Sequence, residues 1–241
     1  MFMPEKKLEK NILRHIAIVM DGNRRWAKKN KFKSTFKGHS HGADKLKEVA
    51  QWCIDMDIAY LSVFAFSTEN WSRDEDEKKY LMDILRKFLK DSADEFNKKG
   101  IKIRIIGQRE RFDEDIQRLM AEIVARTSIN TKLLLQVLLS YGGKSELVHS
   151  IKQIAKSVKN GVMQIDDITE QDIEKNLWTQ GVPDPDLMIR TGGEIRISNF
   201  LLWQLSYTEL YFTQVLWPAF SKKDFDNAVE EYYARSRRHG K

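Results

Sequence analysis

Along the chain, short apolar runs alternate with longer stretches in which apolar residues recur every three or four positions. The short runs cover residues 16–20, 60–66, 101–106, 133–139 and 187–189. They are rich in Val, Ile, Leu and Phe and mostly do not alternate in polarity. That is the pattern of parallel strands covered on both faces. Helices are predicted over 23–29, 43–56, 75–99, 113–127, 143–160 and 222–237. Across 43–56, Leu46, Val49, Ala50, Cys53 and Ile54 share one side. Across 75–99, Leu81, Ile84, Leu85, Phe88 and Phe96 recur at helical spacing. The alternating order predicts an α/β fold, a mostly parallel sheet with helices on both faces. No linker or repeat interrupts the 241 residues, so one domain spanning 1–241 is expected.

In such a sheet, ligands bind beyond the carboxyl ends of the strands. Three polar loops fall there: Asp21-Gly22-Asn23-Arg24-Arg25, then the run from Ser67 to Arg73, then Arg190-Thr191-Gly192-Gly193. Asp21 ends a strand and opens a short helix. It either caps that helix or offers its carboxylate to Mg²⁺, with the Gly22 and Asn23 amides holding a diphosphate. Arg24 and Arg25 favour the ligand. Asn70, Trp71 and Arg73 make a polar–aromatic–cation run. Asn70 suits orienting a substrate or proton and Arg73 suits a phosphate, while a packed, solvated loop explains the same residues.

Segment 38–42, Gly38-His39-Ser40-His41-Gly42, reads as an exposed loop before a helix. Its histidines lack the partners and spacing of a zinc site. A hydrogen bond to phosphate suits them better, and a loop without a role stays open. Segment 190–199 is the densest, with Arg190, Arg196, Ser198 and two glycines able to surround a diphosphate. A salt-bridged loop is the plain alternative. Glu209 lies among aromatics, where a carboxylate is costly unless paired or metal-bound. A structural ion pair and a site role, with pairing to a neighbouring subunit's arginine, stand level.

Composition narrows the chemistry. The net charge of +6 suits anionic ligands but is mostly interleaved with acids, unlike the basic stripe of a nucleic-acid binder. The exception, Arg235, Arg237, Arg238 and His239, suits a helix C-terminus. Neither the P-loop pattern nor the Rossmann glycine fingerprint occurs. The single cysteine, Cys53, forms no intrachain disulfide and fits a reducing, cytoplasmic setting. No run approaches a membrane span or a signal peptide.

Together the segments resemble the cis-prenyltransferases, the undecaprenyl and dehydrodolichyl diphosphate synthases. The matching pieces are 15–23, Gly38-His39 with Gly42, Phe66 to Trp71 with Arg73 and Glu77, Tyr141-Gly142-Gly143, 186–194, 196–204 and Glu209. The resemblance implies a six-stranded, mostly parallel sheet in a homodimer or related heterodimer. It implies coupling of isopentenyl diphosphate to an allylic prenyl diphosphate, with a new Z double bond and release of diphosphate. Asp21 would take Mg²⁺ and diphosphate, with Glu209 completing the metal site, across the dimer. Gly22, Asn23, Arg25 and His39 would surround the allylic diphosphate, with Arg24, Trp26 and Glu77 in the substrate-binding set. Arg190, Arg196 and Ser198 would hold isopentenyl diphosphate. Ser67 and Asn70 would help remove a proton, Trp71 would position substrate, and Arg73 would assist near the allylic group. The lengthening hydrocarbon would need an apolar tunnel, which helices 43–56 and 75–99 could line, though their leucines and aromatics equally make a plain core; the oily product suggests weak peripheral membrane contact.

The chain departs from the bacterial pattern at Arg24 for glycine, Ser140 for asparagine, Lys144 for arginine and Asp74 for proline. The stretch Lys33 to Lys37 lacks the arginine expected before Gly38. These changes bear on primer, product length and linkage. A short-chain or branched coupling on the same site is the nearest alternative. A non-catalytic partner subunit would have lost Asp21 or the late arginines, which are all present.

Overall fold

The computed structural model describes residues 12–235. Six strands form one sheet in the order β3-β4-β2-β1-β5-β6, and every neighbouring pair is parallel. The strands are β1 (His15–Val19), β2 (Tyr60–Ser67), β3 (Ile101–Ile106), β4 (Leu133–Tyr141), β5 (Leu187–Arg190) and β6 (Glu209–Phe212). The helices are α1 (Asn23–Lys29), α2 (Lys37–Asp55), α3 (Glu75–Asp91), α4 (Ala93–Lys99), α5 (Glu114–Arg126), α6 (Gly143–Lys159), α7 (Glu170–Asn176) and α8 (Lys222–Ala234).

Strand β1 shows why the sheet needs cover on both faces. Ile16 and Ile18 point into a large core with α2, α3, α4, α5 and α8. Ala17 and Val19 point the other way, into a smaller core with Tyr141, Phe200 and Leu201. A continuous apolar run therefore feeds two layers at once.

Four local expectations change. Strand β6 is not among the expected strands: it opens on Glu209, and all four of its residues are only half-buried at the sheet edge. Helix α7 also lacked a clear apolar signal. The predicted helix 75–99 divides at Ser92, which is fully buried. The Ser92 N–H donates to Phe88 O at 3.1 Å and its carbonyl accepts from Phe96 N–H at 2.9 Å, so one helix ends where the next begins.

The fourth change bears on the site. Segment 38–42 is not an exposed loop but the first turns of α2, with Gly38 and Gly42 buried. A Cβ at Gly38 would sit 1.9 Å from Asn23 O, and one at Gly42 would sit 2.3 Å from Asn23 Oδ1. The two glycines, one turn apart, let α2 lie directly on α1. Of the basic C-terminal cluster, only Arg235 lies within the described residues.

Candidate active site

Val19 is the register partner of Arg190 on one side and of Phe64 on the other. The carboxyl ends of β1, β2 and β5 thus lie side by side. The chain leaves β1 for β2 on one flank and returns as β5 on the other, a topological switch point. All three polar loops rise there.

Asp21 is fixed through its backbone. Its N–H donates to Thr191 Oγ1 at 3.0 Å and its carbonyl accepts from the same hydroxyl at 2.8 Å. Gly22 follows at φ 107°, a left-handed conformation that starts α1 and brings Arg25 back over Asp21. Arg25 donates to Asp21 Oδ1 at 3.0 Å and Arg190 to Oδ2 at 3.0 Å. Arg25 is steadied on Gly192 O at 2.6 Å, and Arg190 on Ser198 Oγ at 2.7 Å and Arg196 O at 2.5 Å.

The loop that carries Ser198 is itself pinned. Ser198 and Asn199 are left-handed at φ 51° and 63°. Asn199 holds them by accepting from Gly143 N–H at 2.7 Å and Lys144 N–H at 2.9 Å and donating to Glu69 at 3.0 Å. Arg196 points away: its side chain is 59% exposed and paired with Glu194.

A second carboxylate sits deeper. Glu77 accepts from Arg24 at 3.1 Å and Arg73 at 2.8 Å, and its side chain is only 2% exposed. His39 Nε2 lies 3.6 Å away. Burial, then the nearby Arg73 charge, hold the His39 pKa down at about 4, so the ring is neutral and the contact is not an ion pair. Its Nε2 has no hydrogen-bond partner.

Three cavities that share Met20, Asn23 and His39 lie at this edge. A polar one of about 430 Å³ is lined by Asp21 to Arg25, Lys28, Thr35, His39 and Arg73. One of about 210 Å³ joins Asp21, His39, Ser67, Asn70, Arg73 and Arg190. An apolar one of about 110 Å³ shares Met20, Asn23 and His39 and runs under α2 and α3, where the tunnel was expected. Asn23 Oδ1, His39 Nε2 and Arg190 Nε are buried here without partners. Buried polar atoms are normally satisfied, so this trio points to a polar ligand.

The remaining candidates divide. Ser67 and Asn70 line the second cavity and also cap the turn that carries them, Ser67 N–H donating to Asn70 Oδ1 at 3.0 Å. Trp71 lines none of the three cavities. It packs against Phe66 and Phe112 and donates to Ser140 Oγ at 2.8 Å. Trp26 stacks on Phe32 and meets the His41 ring at a tilt of 54°. Glu209 opens β6 opposite Leu187, at the other end of the sheet, and pairs with Arg235 of its own chain at 2.8 Å. Within one chain it therefore does not join Asp21. Among the described residues no three His, Cys, Asp or Glu side chains converge on a metal position.

Residues 33–37 contribute only Thr35 to the polar cavity, with Lys28 as its added cation. Lys28 was legible: it lies one turn after Arg24 on the same helix face. Ala65 was not, because a register shift in β2 between Phe64 and Phe66 turns it toward the cavity.

Comparison with known proteins now defines the class. The family model for undecaprenyl diphosphate synthases matches residues 19–240. An isoprenyl transferase of Clostridium perfringens is 42% identical over 97% of this chain and 92% of its own length. A farnesyl-diphosphate-specific ditrans,polycis-undecaprenyl-diphosphate synthase of Legionella pneumophila is 43% identical over 94% of each. The structure of lavandulyl diphosphate synthase from Lavandula x intermedia, in complex with dimethylallyl diphosphate, superimposes with TM-score 0.91 at 33% identity, covering 95% of this chain and 98% of that one. The chain belongs to the cis-prenyltransferase family. It is an enzyme that condenses isopentenyl diphosphate with an allylic prenyl diphosphate, building polyprenyl diphosphate with Z double bonds.

Proposed function

We propose that the Asp21 clamp is the diphosphate site of this transferase. The observation that carries the reading is the clamp's position, two arginines on one half-buried carboxylate that lines two polar cavities, both of which share Met20, Asn23 and His39 with the apolar one. Arg25, His39 and the Gly22 and Asn23 amides take the allylic diphosphate, with Arg24, Lys28 and Arg73 adding positive charge. Arg190, Ser198 and Arg196 take isopentenyl diphosphate. The isopentenyl double bond forms a bond to the allylic carbon as the allylic carbon–oxygen bond breaks. Diphosphate leaves, and the proton lost from the isopentenyl unit makes the new double bond. Ser67 and Asn70 steer that proton toward the released diphosphate. The arginines stabilise the charge that grows on the leaving group.

Asp21 is the one carboxylate among the residues lining the polar cavities. That fits Mg²⁺, which binds through one or two carboxylates plus substrate phosphates, and not a metal held by protein alone. When bound, Mg²⁺ neutralises charge on the departing diphosphate.

Val148 and Ile151, one turn apart on α6 and both exposed, support a homodimer. The enzyme works as one cytoplasmic catalytic domain, with weak peripheral membrane contact for its oily product and no role for nucleic acid. Among the described residues no helix is long and apolar enough to cross a membrane.

The test supplies Mg²⁺, labelled isopentenyl diphosphate and, in turn, dimethylallyl, geranyl, farnesyl and geranylgeranyl diphosphates. A ladder of Z-linked products that depends on Asp21 is the expected result. The likeness to lavandulyl diphosphate synthase favours a second reading, a branched coupling, which a single short product would reveal.

A further inference from the structure

Most of the chain interleaves its charges, but one long stretch does not. Between Gly22 and Asp44 stand seven Lys or Arg residues and no carboxylate, and all seven are exposed. Arg24 and Arg25 are answered by Glu77 and Asp21. Among the described residues no carboxylate pairs with Lys29, Lys31, Lys33 or Lys37.

The fold accounts for only part of this charge. Lys28 and Lys29 close α1, where a helix dipole favours cations. Lys31 and Lys33 lie beyond that helix, in the turn to α2. Lys37 opens α2, whose first turn holds no acid, so its charge faces the positive end of a dipole. Like charges crowded on one segment also repel. The cluster works against folding and is open to an anionic partner.

Aromatic rings are set among the cations. Trp26 stacks on Phe32, with centroids 5.5 Å apart, and Phe36 meets Tyr80 of α3 at 5.5 Å. Trp26, Phe32 and Phe36 are each only half-buried, and Lys37 lies over the Phe32 ring at 5.8 Å. Half-wet aromatics beside lysines suit the headgroup layer of a bilayer. Single-stranded nucleic acid also stacks on aromatics, but these rings already pack on one another. The same segment rims the active site. Arg24, Arg25, Lys28 and Thr35 line the polar cavity, which shares Met20, Asn23 and His39 with the apolar one.

We propose that the segment from Lys29 to Lys37 is a docking face for an anionic lipid bilayer. It rests on the peripheral contact proposed above and gives that contact a place. The lysines pair with lipid phosphates, and the half-buried rings reach the headgroup layer. The polyprenyl product then passes from cavity to bilayer without crossing bulk water.

The experiment floats the full chain, without substrates, on phosphatidylcholine vesicles with and without phosphatidylglycerol. It compares wild type, Lys29→Gln/Lys31→Gln/Lys33→Gln, and a control of equal charge, Lys98→Gln/Lys102→Gln/Lys132→Gln, near the amino ends of β3 and β4. Wild type is expected to bind the anionic vesicles alone, more weakly as salt rises. The docking-face variant should bind about a hundredfold more weakly, and the control should match wild type. Product formation from geranyl diphosphate in detergent should be equal in all three, because none of the substituted lysines lines the cavities. Equal vesicle binding by wild type and the docking-face variant would place the contact elsewhere and overturn the proposal. No binding by wild type overturns both the face and the peripheral contact. An oligonucleotide held by wild type and lost by the docking-face variant, with no vesicle binding, would assign the face to nucleic acid instead. If vesicle binding follows these lysines while no primer yields product, the catalytic reading fails and the docking face stands.

Discussion

Two carboxylates in this protein are each gripped by two arginines, and burial separates their fates. Asp21, held by Arg25 and Arg190, is 29% exposed, whereas Glu77, held by Arg24 and Arg73, is 2% exposed. At Asp21 water and phosphates can reach the pair, so its arginines are free to exchange a carboxylate for a substrate. At Glu77 the carboxylate is sealed against α2, and its arginines balance a charge that has nowhere else to go. On the reading proposed above, one clamp is the binding site and the other braces that site's wall.

The sharpest way to break this comparison is to remove each acid's function and ask what is lost. Asp21→Asn is expected to lower kcat/KM by about 10²–10³-fold and to change folding stability by no more than about 1 kcal/mol. The Arg24→Ala/Arg73→Ala pair leaves Glu77 buried without a cation. It should destabilise the fold by about 3 kcal/mol, a fall in Tm of about 6–12 °C for a chain of this size. Urea unfolding and steady-state kinetics on both variants check the contrast. Equal stability losses would mean that the two clamps do the same job.

A smaller effect follows from His39, which faces Arg73, Glu77 and Arg24 on the braced side. Its pKa in the fold is about 4 against an ordinary 6.5, and burial puts His15 at about 4 as well. Between those pH values the unfolded chain binds more protons than the folded one, so stability falls as pH drops. Each histidine contributes at most about 1.4 kcal/mol per pH unit over that window. Denaturation from pH 7 down to 4 should show the slope, and His39→Asn should remove its share. A slope unchanged in His39→Asn would mean that His39 keeps its ordinary pKa in the fold.

The sheet was legible because a strand covered on both faces is apolar over most of its length, as β1 is beyond His15 and β4 is on either side of Gln136. The three loops were legible because Asp21, Ser67 and Arg190 each stand at a strand's end. What stayed hidden depends on distant partners. Gly38 and Gly42 look like a flexible loop until α1 is seen lying on them. The half-buried edge strand β6 carries Glu209 at a position the apolar pattern does not mark. The leucines that line the apolar cavity have the periodicity of an ordinary core. Only their residual exposure beside sealed neighbours sets Met82, Leu85 and Phe88 apart.

The finest division within the Asp21 side is between Arg190 and Arg196, which the sequence makes look equivalent. Arg190 is buried and bonded to Asp21, Ser198 and the Arg196 carbonyl. Arg196 is mostly in water, tied to Glu194 alone. Surface pairs of that kind contribute little to folding, so Arg196→Ala should leave stability within about 0.5 kcal/mol. Its guanidinium can still swing onto a bound diphosphate, where one charged hydrogen bond is worth about tenfold in affinity. KM for isopentenyl diphosphate should therefore rise by about that factor while kcat and the allylic KM hold. A rise in the allylic KM instead would place Arg196 on the other substrate. A loss of stability would show that the Glu194 pair holds the loop together.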